Sequence, residues 1–131
     1  MIEKSVGEKV LYPELSYSLI KIAFEIHNTL GPGFSENIYE AAFIQELRRN
    51  NIFAEEQKPI LVKYKGVVLG EYRLDLVIEN IIVLELKAVA GINEIFKQQL
   101  LSYLKAGNYR LGLLLNFGSK RLEHIRIVNG P

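Results

Sequence analysis

YRLDLVIENIIVLELKAV, residues 72–89, is the stretch on which the reading of this chain turns. It divides into two runs rich in Val, Ile and Leu that meet at Glu79-Asn80, a composition that predicts two β-strands joined by a turn. Three charges stand inside the apolar runs: Asp75, Glu85 and Lys87. An ionised side chain in a buried strand is costly unless it is paired or holds a metal, so these positions need a chemical reason.

Residues two apart on a strand share a face. Glu85 and Lys87 therefore project together, while Leu84, Leu86 and Ala88 project to the other side. For Asp75 to meet Glu85 across an antiparallel pair, the loop must be odd and centred on Asn80, as in Glu79-Asn80-Ile81. A two-residue Glu79-Asn80 turn would set Asp75 against Leu84 on the wrong face, unless a bulge intervened. Asn accepts the left-handed backbone of a three-residue loop, so the odd register is physically reasonable. In that register Asp75, Glu85 and Lys87 converge beside Val77 and Val83. Two carboxylates there make a hard oxygen site suited to Mg²⁺ or Mn²⁺ with several waters retained. The adjoining lysine could orient or help deprotonate a water and offset charge building on a phosphate. The competing reading is structural: Lys87 neutralises Glu85, and Asp75 pairs with Arg73 or another base.

The chain of 131 residues fits one domain, residues 1–131, long enough to bury about two-thirds of the surface its unfolded form exposes. Hydrophobic residues at 49% and charged residues at 24% match a globular protein and exclude disorder, collagen-like repeats and a disulfide scaffold. The absence of Cys excludes thiol nucleophiles and thiolate metal sites, and is compatible with a reducing cytoplasm. A formal net charge of +1 gives no case by itself for a polyanion partner. No stretch has the signal-peptide pattern or the roughly twenty apolar residues of a membrane helix, so the expectation is a cytoplasmic protein with no membrane partner.

Residues 1–13 read as a loosely packed lead-in segment. A helix follows from near Glu14, with Leu15, Leu19, Ile22, Ile26 and Leu30 at helical spacing, and Gly31-Pro32-Gly33 stops it. Ser35 is the expected N-cap of a second helix running to about Asn50. Its expected core face is Ile38, Ala41, Ala42, Ile44 and Leu47, with Glu36, Tyr39, Glu40 and Phe43 on another side. Extended segments are expected at 53–57, 60–64 and 67–72, ahead of the charged hairpin. Asn93 caps a third helix, Glu94 to Ala106, with Gly107 as its C-terminal cap. Arg110 to Asn116 reads as a buried strand and Leu122 to Val128 as an edge strand. Two helices, antiparallel strands, a crossover helix and two more strands predict an α/β fold with helices on the faces of a mixed central sheet.

The spacing of Asp75 and Glu85-Leu86-Lys87 on a hairpin between an N-terminal helical part and a crossover helix resembles the PD-(D/E)XK nuclease superfamily. It is most similar to the small GxxExxY proteins of that superfamily, whose signature stands here as Gly33-Phe34-Ser35-Glu36-Asn37-Ile38-Tyr39. The resemblance runs from Leu15 to Val128 and takes in EIHNTLGPG, the two strands of the hairpin, QLLSYLKAG and LGLLLNFG. It implies a restriction-endonuclease-like fold in which Asp75 and Glu85 ligate Mg²⁺ or Mn²⁺, the Leu86 carbonyl is a third ligand, and Lys87 assists the attacking water. Glu36 corresponds to a helix acid that in many members joins the metal shell directly or through water. Gln99 and Tyr103 match a Q-x-x-x-Y pattern whose residues flank the site in the exonuclease-like branch. Leu74 replaces the proline of the superfamily's name, a frequent departure.

The residues alone support part of this. Gln99 and Tyr103, four apart, lie on one helix face and can point at one site, although Tyr103 could equally pack with Phe96 and Leu100. Glu36 near a helix N-terminus is favoured by the dipole in any case. Tyr39 and His27 are accessory candidates whose ordinary roles are structural, Tyr39 as a core aromatic and His27 beside an apolar helix stripe. His124 reads as surface. The leading expectation is a nuclease acting on nucleic acid, DNA before RNA; the alternative is a nucleic-acid-binding or protein-interaction module that keeps the fold without cutting. The small surface favours a homodimer or a protein partner for gripping substrate.

Overall fold

A computed structural model describes residues 11–130. Of the expected lead-in, residues 1–10 lie outside the described residues, while Pro13 already opens the first helix. Three helices and five strands follow among the described residues: α1 (Pro13–Leu30), α2 (Glu36–Arg49), β1 (Ala54–Tyr64), β2 (Val67–Ile78), β3 (Ile82–Lys87), α3 (Glu94–Gly107), β4 (Leu111–Asn116) and β5 (Glu123–Val128). The strands form one sheet in sequence order, β1-β2-β3-β4-β5. All neighbours are antiparallel except β3 and β4, which α3 links as a parallel pair by crossing over the sheet. This is the restriction-endonuclease-like α/β arrangement.

Two apolar layers hold it together. Leu19, Ile22 and Ile26 of α1 and Tyr39, Phe43 and Leu47 of α2 pack with the even-numbered residues of β3, Ile82, Leu84 and Leu86. Leu100 and Leu104 of α3 pack on the other face, against Val77, Val83 and Leu114. Strands β3 and β4 are buried along almost their whole length, as expected of a parallel pair covered on both sides.

Four local expectations are corrected. The buried stripe of α2 is Tyr39, Phe43 and Leu47, spaced four apart, while Ile38 is 45% exposed. The Tyr39 ring stacks 4.7 Å from that of Phe117, and one aromatic pair decides the helix rotation over a larger number of small apolar residues. Ser35 stands at the N-cap position, but its side chain makes no capping hydrogen bond. The segments at 53–57 and 60–64 are one strand, β1, because Pro59 lies on a sheet edge where a missing N–H costs no ladder bond. Gly107 belongs to α3, and Asn108, with φ 60°, takes the left-handed cap. The Asn93 cap is as expected: its side chain accepts the Phe96 N–H at 3.1 Å.

Past β4 the chain presses against the end of β3. A Cβ on Gly118 would lie 2.4 Å from the Val89 nitrogen and 2.5 Å from the Ala88 carbonyl carbon, so only glycine fits. Asn116, fully buried, completes the clamp: its Oδ1 accepts the N–H groups of Val89 and Gly118, each at 3.0 Å, and its Nδ2 donates to Glu123 at 2.8 Å. The Phe117 N–H donates to the Lys87 carbonyl at 2.8 Å. These bonds fix the strand end that carries Lys87.

Candidate functional site

The loop between β2 and β3 is the odd one. Ile78 faces Ile82, Val77 faces Val83 and Leu76 faces Leu84, which centres the turn on Asn80. Glu79 and Asn80 take left-handed backbones with φ 51° and 61°, and the Ile81 N–H closes the loop on the Ile78 carbonyl at 2.9 Å. Continued by one step, this register brings Asp75 opposite Glu85, but no further rung forms. Instead the Asp75 N–H donates to Glu85 Oε1 at 3.2 Å, and the Leu86 N–H donates to Asp75 Oδ2 at 2.8 Å. The two carboxylates occupy the gap where the strands part. Strand β2 turns over at this point: Leu76 packs in the α1/α2 layer and Leu74, two residues earlier, packs with α3.

The pair is electrostatically strained. Burial, and then the charge of Asp75, push the Glu85 carboxyl up to about 8. Asp75 is also raised, mainly by burial, with the Leu86 N–H and the Lys87 charge pulling the other way. Neither acid takes part in the ion pairs found among the described residues, which are Arg49–Glu46, Lys58–Glu55, Arg73–Glu71 and Lys97–Glu94. The expected structural pairing is thereby set aside: Arg73 pairs with Glu71 at 3.4 Å and donates to the Gln57 carbonyl at 3.2 Å. The Lys87 ammonium lies 4.9 Å over the Phe96 ring. A buried and a half-buried carboxylate that join in no such ion pair fit a hard divalent ion. No group of three His, Asp or Glu side chains that could hold a metal occurs among the described residues, so the shell would have to be completed by main chain and water.

Around the pair the structure assembles groups from three other elements. The Gln99 amide stands beside the Tyr103 hydroxyl on α3, and burial, followed by the charge of Glu85, raises the Tyr103 phenol. The Tyr72 ring of β2 lies 5.1 Å from that of Tyr103. From α2, Glu40 accepts a 2.9 Å hydrogen bond from the Gln57 side chain; burial raises its carboxyl, and so does the Asp75 charge. Glu36 is exposed and reaches this set through its charge on Glu40.

Glu40 and Gln57 are additions to the residues chosen from the sequence. Glu40 had a signal, standing one helical turn after Glu36 on the side of Tyr39 and Phe43. Gln57 had none: it reaches the site because β1 pairing skips it, with Glu56 on Leu76 and Lys58 on Leu74, at a left-handed φ of 48°.

Tyr39 and His27 have their polar atoms committed elsewhere. Tyr39 is fully buried; its hydroxyl donates to the Gly31 carbonyl at 2.6 Å and accepts the Phe34 N–H at 3.2 Å, which ties down the glycine turn. His27 Nε2 lies 2.9 Å from the Ser119 carbonyl oxygen in the α1 layer, its ring beside Phe117. His124 is exposed, as expected, its ring edge-on to Phe24.

Comparisons with known proteins bear on the family and the fold. The family model of the PD-(D/E)XK nuclease superfamily matches residues 13–127. Among solved structures, that of SSO0001 is similar, with a TM-score of 0.59 and 23% identity over 92% of this chain. That likeness concerns the fold, and this chain spans 58% of the length of the solved one. No curated protein matches.

Proposed function

The chain belongs to the PD-(D/E)XK nuclease superfamily, and on that premise we propose that it is a metal-dependent nuclease that hydrolyses phosphodiester bonds of nucleic acid, DNA in the first place. Within the superfamily, Gly33, Glu36 and Tyr39 support a reading of the chain as one of the GxxExxY proteins. The observation that carries the reading is the close pair of half-buried Asp75 and buried Glu85, which makes no ion pair among the described residues, beside Lys87.

Asp75 and Glu85, with the Leu86 carbonyl, would hold Mg²⁺ or Mn²⁺. When bound, such an ion supplies Lewis acidity toward a phosphate oxygen and makes water more acidic. Lys87 Nζ orients the attacking water and offsets the negative charge that develops on phosphorus oxygens. Gln99 and Tyr103 are neutral donors that position a phosphate without adding charge. Glu40, held by Gln57, completes the acidic side, with Glu36 one turn further out. The reaction takes place in the cytoplasm. With a net charge of +1, substrate affinity comes from local clustering of bases, a second copy or a partner protein.

The test is a cleavage assay with Mg²⁺ or Mn²⁺ on single-stranded, duplex and branched DNA and on RNA, beside Asp75→Ala and Lys87→Ala. Cleavage that needs the ion and falls at least ~100-fold in both variants is expected. Cleavage that survives chelation, or is unchanged in both variants, would refute the mechanism. Intact substrate throughout, without ion binding, would turn the reading to a non-cleaving module.

A further inference from the structure

Most of the β1–β2 ribbon extends past the rest of the sheet. Strand β2 pairs with β3 only over Leu76–Ile78, whereas it pairs with β1 from Val67 to Ile78. The outer part is two-stranded and closes in a Lys65-Gly66 turn with φ 48° and 81°. It bears Tyr64, Val67, Leu69 and Tyr72, which are 60, 61, 65 and 50% exposed. A two-stranded ribbon gains little folding stability from apolar side chains left in water, so this surface calls for an occupant.

Its chemistry selects one. Ile60 pairs with Tyr72 and, beyond a bulge at Leu69 where the register shifts by one, Tyr64 pairs with Val67. Because Ile60 and Tyr64 are four apart on β1, Ile60, Tyr64, Val67 and Tyr72 share the ribbon face on which Ile60 packs with Leu100 and Leu104 of α3. The Tyr72 ring touches Tyr103, which stands in the field of Glu85 and Asp75. Tyr64 lies four residues out from Ile60, roughly 13 Å along the strand. A line of aromatic rings therefore leads from the acids toward the ribbon tip.

The flanking charge is positive. An open cleft of about 690 Å³ runs between residues 59–63 of β1 and the end of α3; Lys63 and Lys105 line it and no acid does. The Lys65 ammonium sits 5.4 Å over the Tyr64 ring. Between Lys58 and Arg73 the single acid is Glu71, and Arg73 neutralises it at 3.4 Å. Exposed tyrosines interleaved with lysines that make no ion pair among the described residues suit a polyanion whose base faces are open for stacking, which a duplex hides.

We propose that the β1–β2 ribbon and the C-terminal half of α3 grip an unpaired nucleic-acid strand, with bases on Tyr72 and Tyr64 and phosphates on Lys63, Lys65 and Lys105, and lead it to the acids. The destination rests on the nuclease reading; the grip does not.

Fluorescence anisotropy of the full chain in EDTA, where cleavage is blocked, tests the grip with labelled oligothymidylate, oligouridylate and a blunt duplex. Single strands bind at least ~10-fold more tightly than the duplex, and the DNA and RNA arms show which sugar is preferred. Tyr72→Ala and Tyr64→Ala each weaken single-strand binding by roughly 5- to 100-fold, and Tyr72→Phe restores it, since the ring does the stacking. Lys63→Glu with Lys105→Glu weakens binding and flattens its salt dependence. Equal or tighter duplex binding, tyrosine variants that bind like wild type, or no binding at all would overturn the proposal. So would light scattering that shows a dimer dissolved by the tyrosine substitutions, which would make a second copy the occupant. Single-strand binding with these dependences but no cleavage in Mg²⁺ leaves the grip standing and removes the nuclease reading. Cleavage indifferent to Tyr64 and Tyr72 does the reverse.

Discussion

Asp75 and Glu85 hold each other through the main chain: the Asp75 N–H rests on the Glu85 carboxylate at 3.2 Å, and the Asp75 carboxylate takes the N–H of Leu86 at 2.8 Å. An amide oxygen can accept either bond, so Asp75→Asn and Glu85→Gln keep the geometry and remove the charge. Both are expected to cut cleavage by at least ~100-fold. Near pH 8 in EDTA both are expected to melt higher than wild type, by about 3 °C or more. Activity assays and thermal melts on the same preparations check the two effects together.

The pH dependence follows with a definite sign. A carboxyl raised in the folded state contributes stability that is fully present below its unfolded value, 4.5 for Glu85, and lost as the pH rises through the folded value, about 8. Asp75 shifts in the same direction. The metal-free protein should therefore lose melting temperature between about pH 5 and pH 8, and Glu85→Gln should flatten that slope. Adding Mn²⁺ at the alkaline end should restore stability. Calorimetric melts across the range, with and without the ion, are the measurement.

Two acids one turn apart on α2 are not equivalent. Glu40 is half-buried, bonded to Gln57 and in the field of Asp75; Glu36 is exposed and acts on Glu40. Glu40→Gln is expected to lower the cleavage rate by about 10- to 100-fold and Glu36→Gln by roughly threefold or less. Gln57→Ala should fall between them. Single-turnover rates rank the three.

Much of this site was legible in the sequence because strand geometry is discrete. With a side-chain period of two, an odd loop brings Asp75 to the side of Glu85 without a bulge, and Asn80 marks where it turns. What the register did not convey was that pairing stops at Leu76 and that the acids bond to main chain rather than face each other across a rung. That depends on the turn of β2 between Leu74 and Leu76, which is a tertiary compromise between the two helix layers. The rotation of α2 is not legible in the sequence, because Ile38, Ala41 and Ile44 outnumber the aromatic residues, whereas stacking of Tyr39 on Phe117, a partner 78 positions away by the numbering, sets it. Gln57 carries no mark in the sequence, because its place depends on a local break in the pairing of β1 with β2.

Tyr39 has the character of a clamp. Tyr39→Phe removes the bonds to the Gly31 carbonyl and the Phe34 N–H and keeps the ring on Phe117. A loss of about 1–2 kcal/mol in unfolding free energy is expected, with the cleavage rate of the folded protein changed by less than roughly threefold. Urea melts and rates at saturating ion separate the two. A rate loss without a stability loss would instead make the hydroxyl part of the reacting centre.

The central claim is that Asp75 and Glu85 form a divalent-ion site, and calorimetric titration of Mn²⁺ into the chelator-stripped protein tests it most directly. One ion per chain is expected in the wild type, with binding lost in Asp75→Ala and Glu85→Ala and retained in Tyr39→Phe. No binding by the wild type, or undiminished binding by both alanine variants, would contradict it.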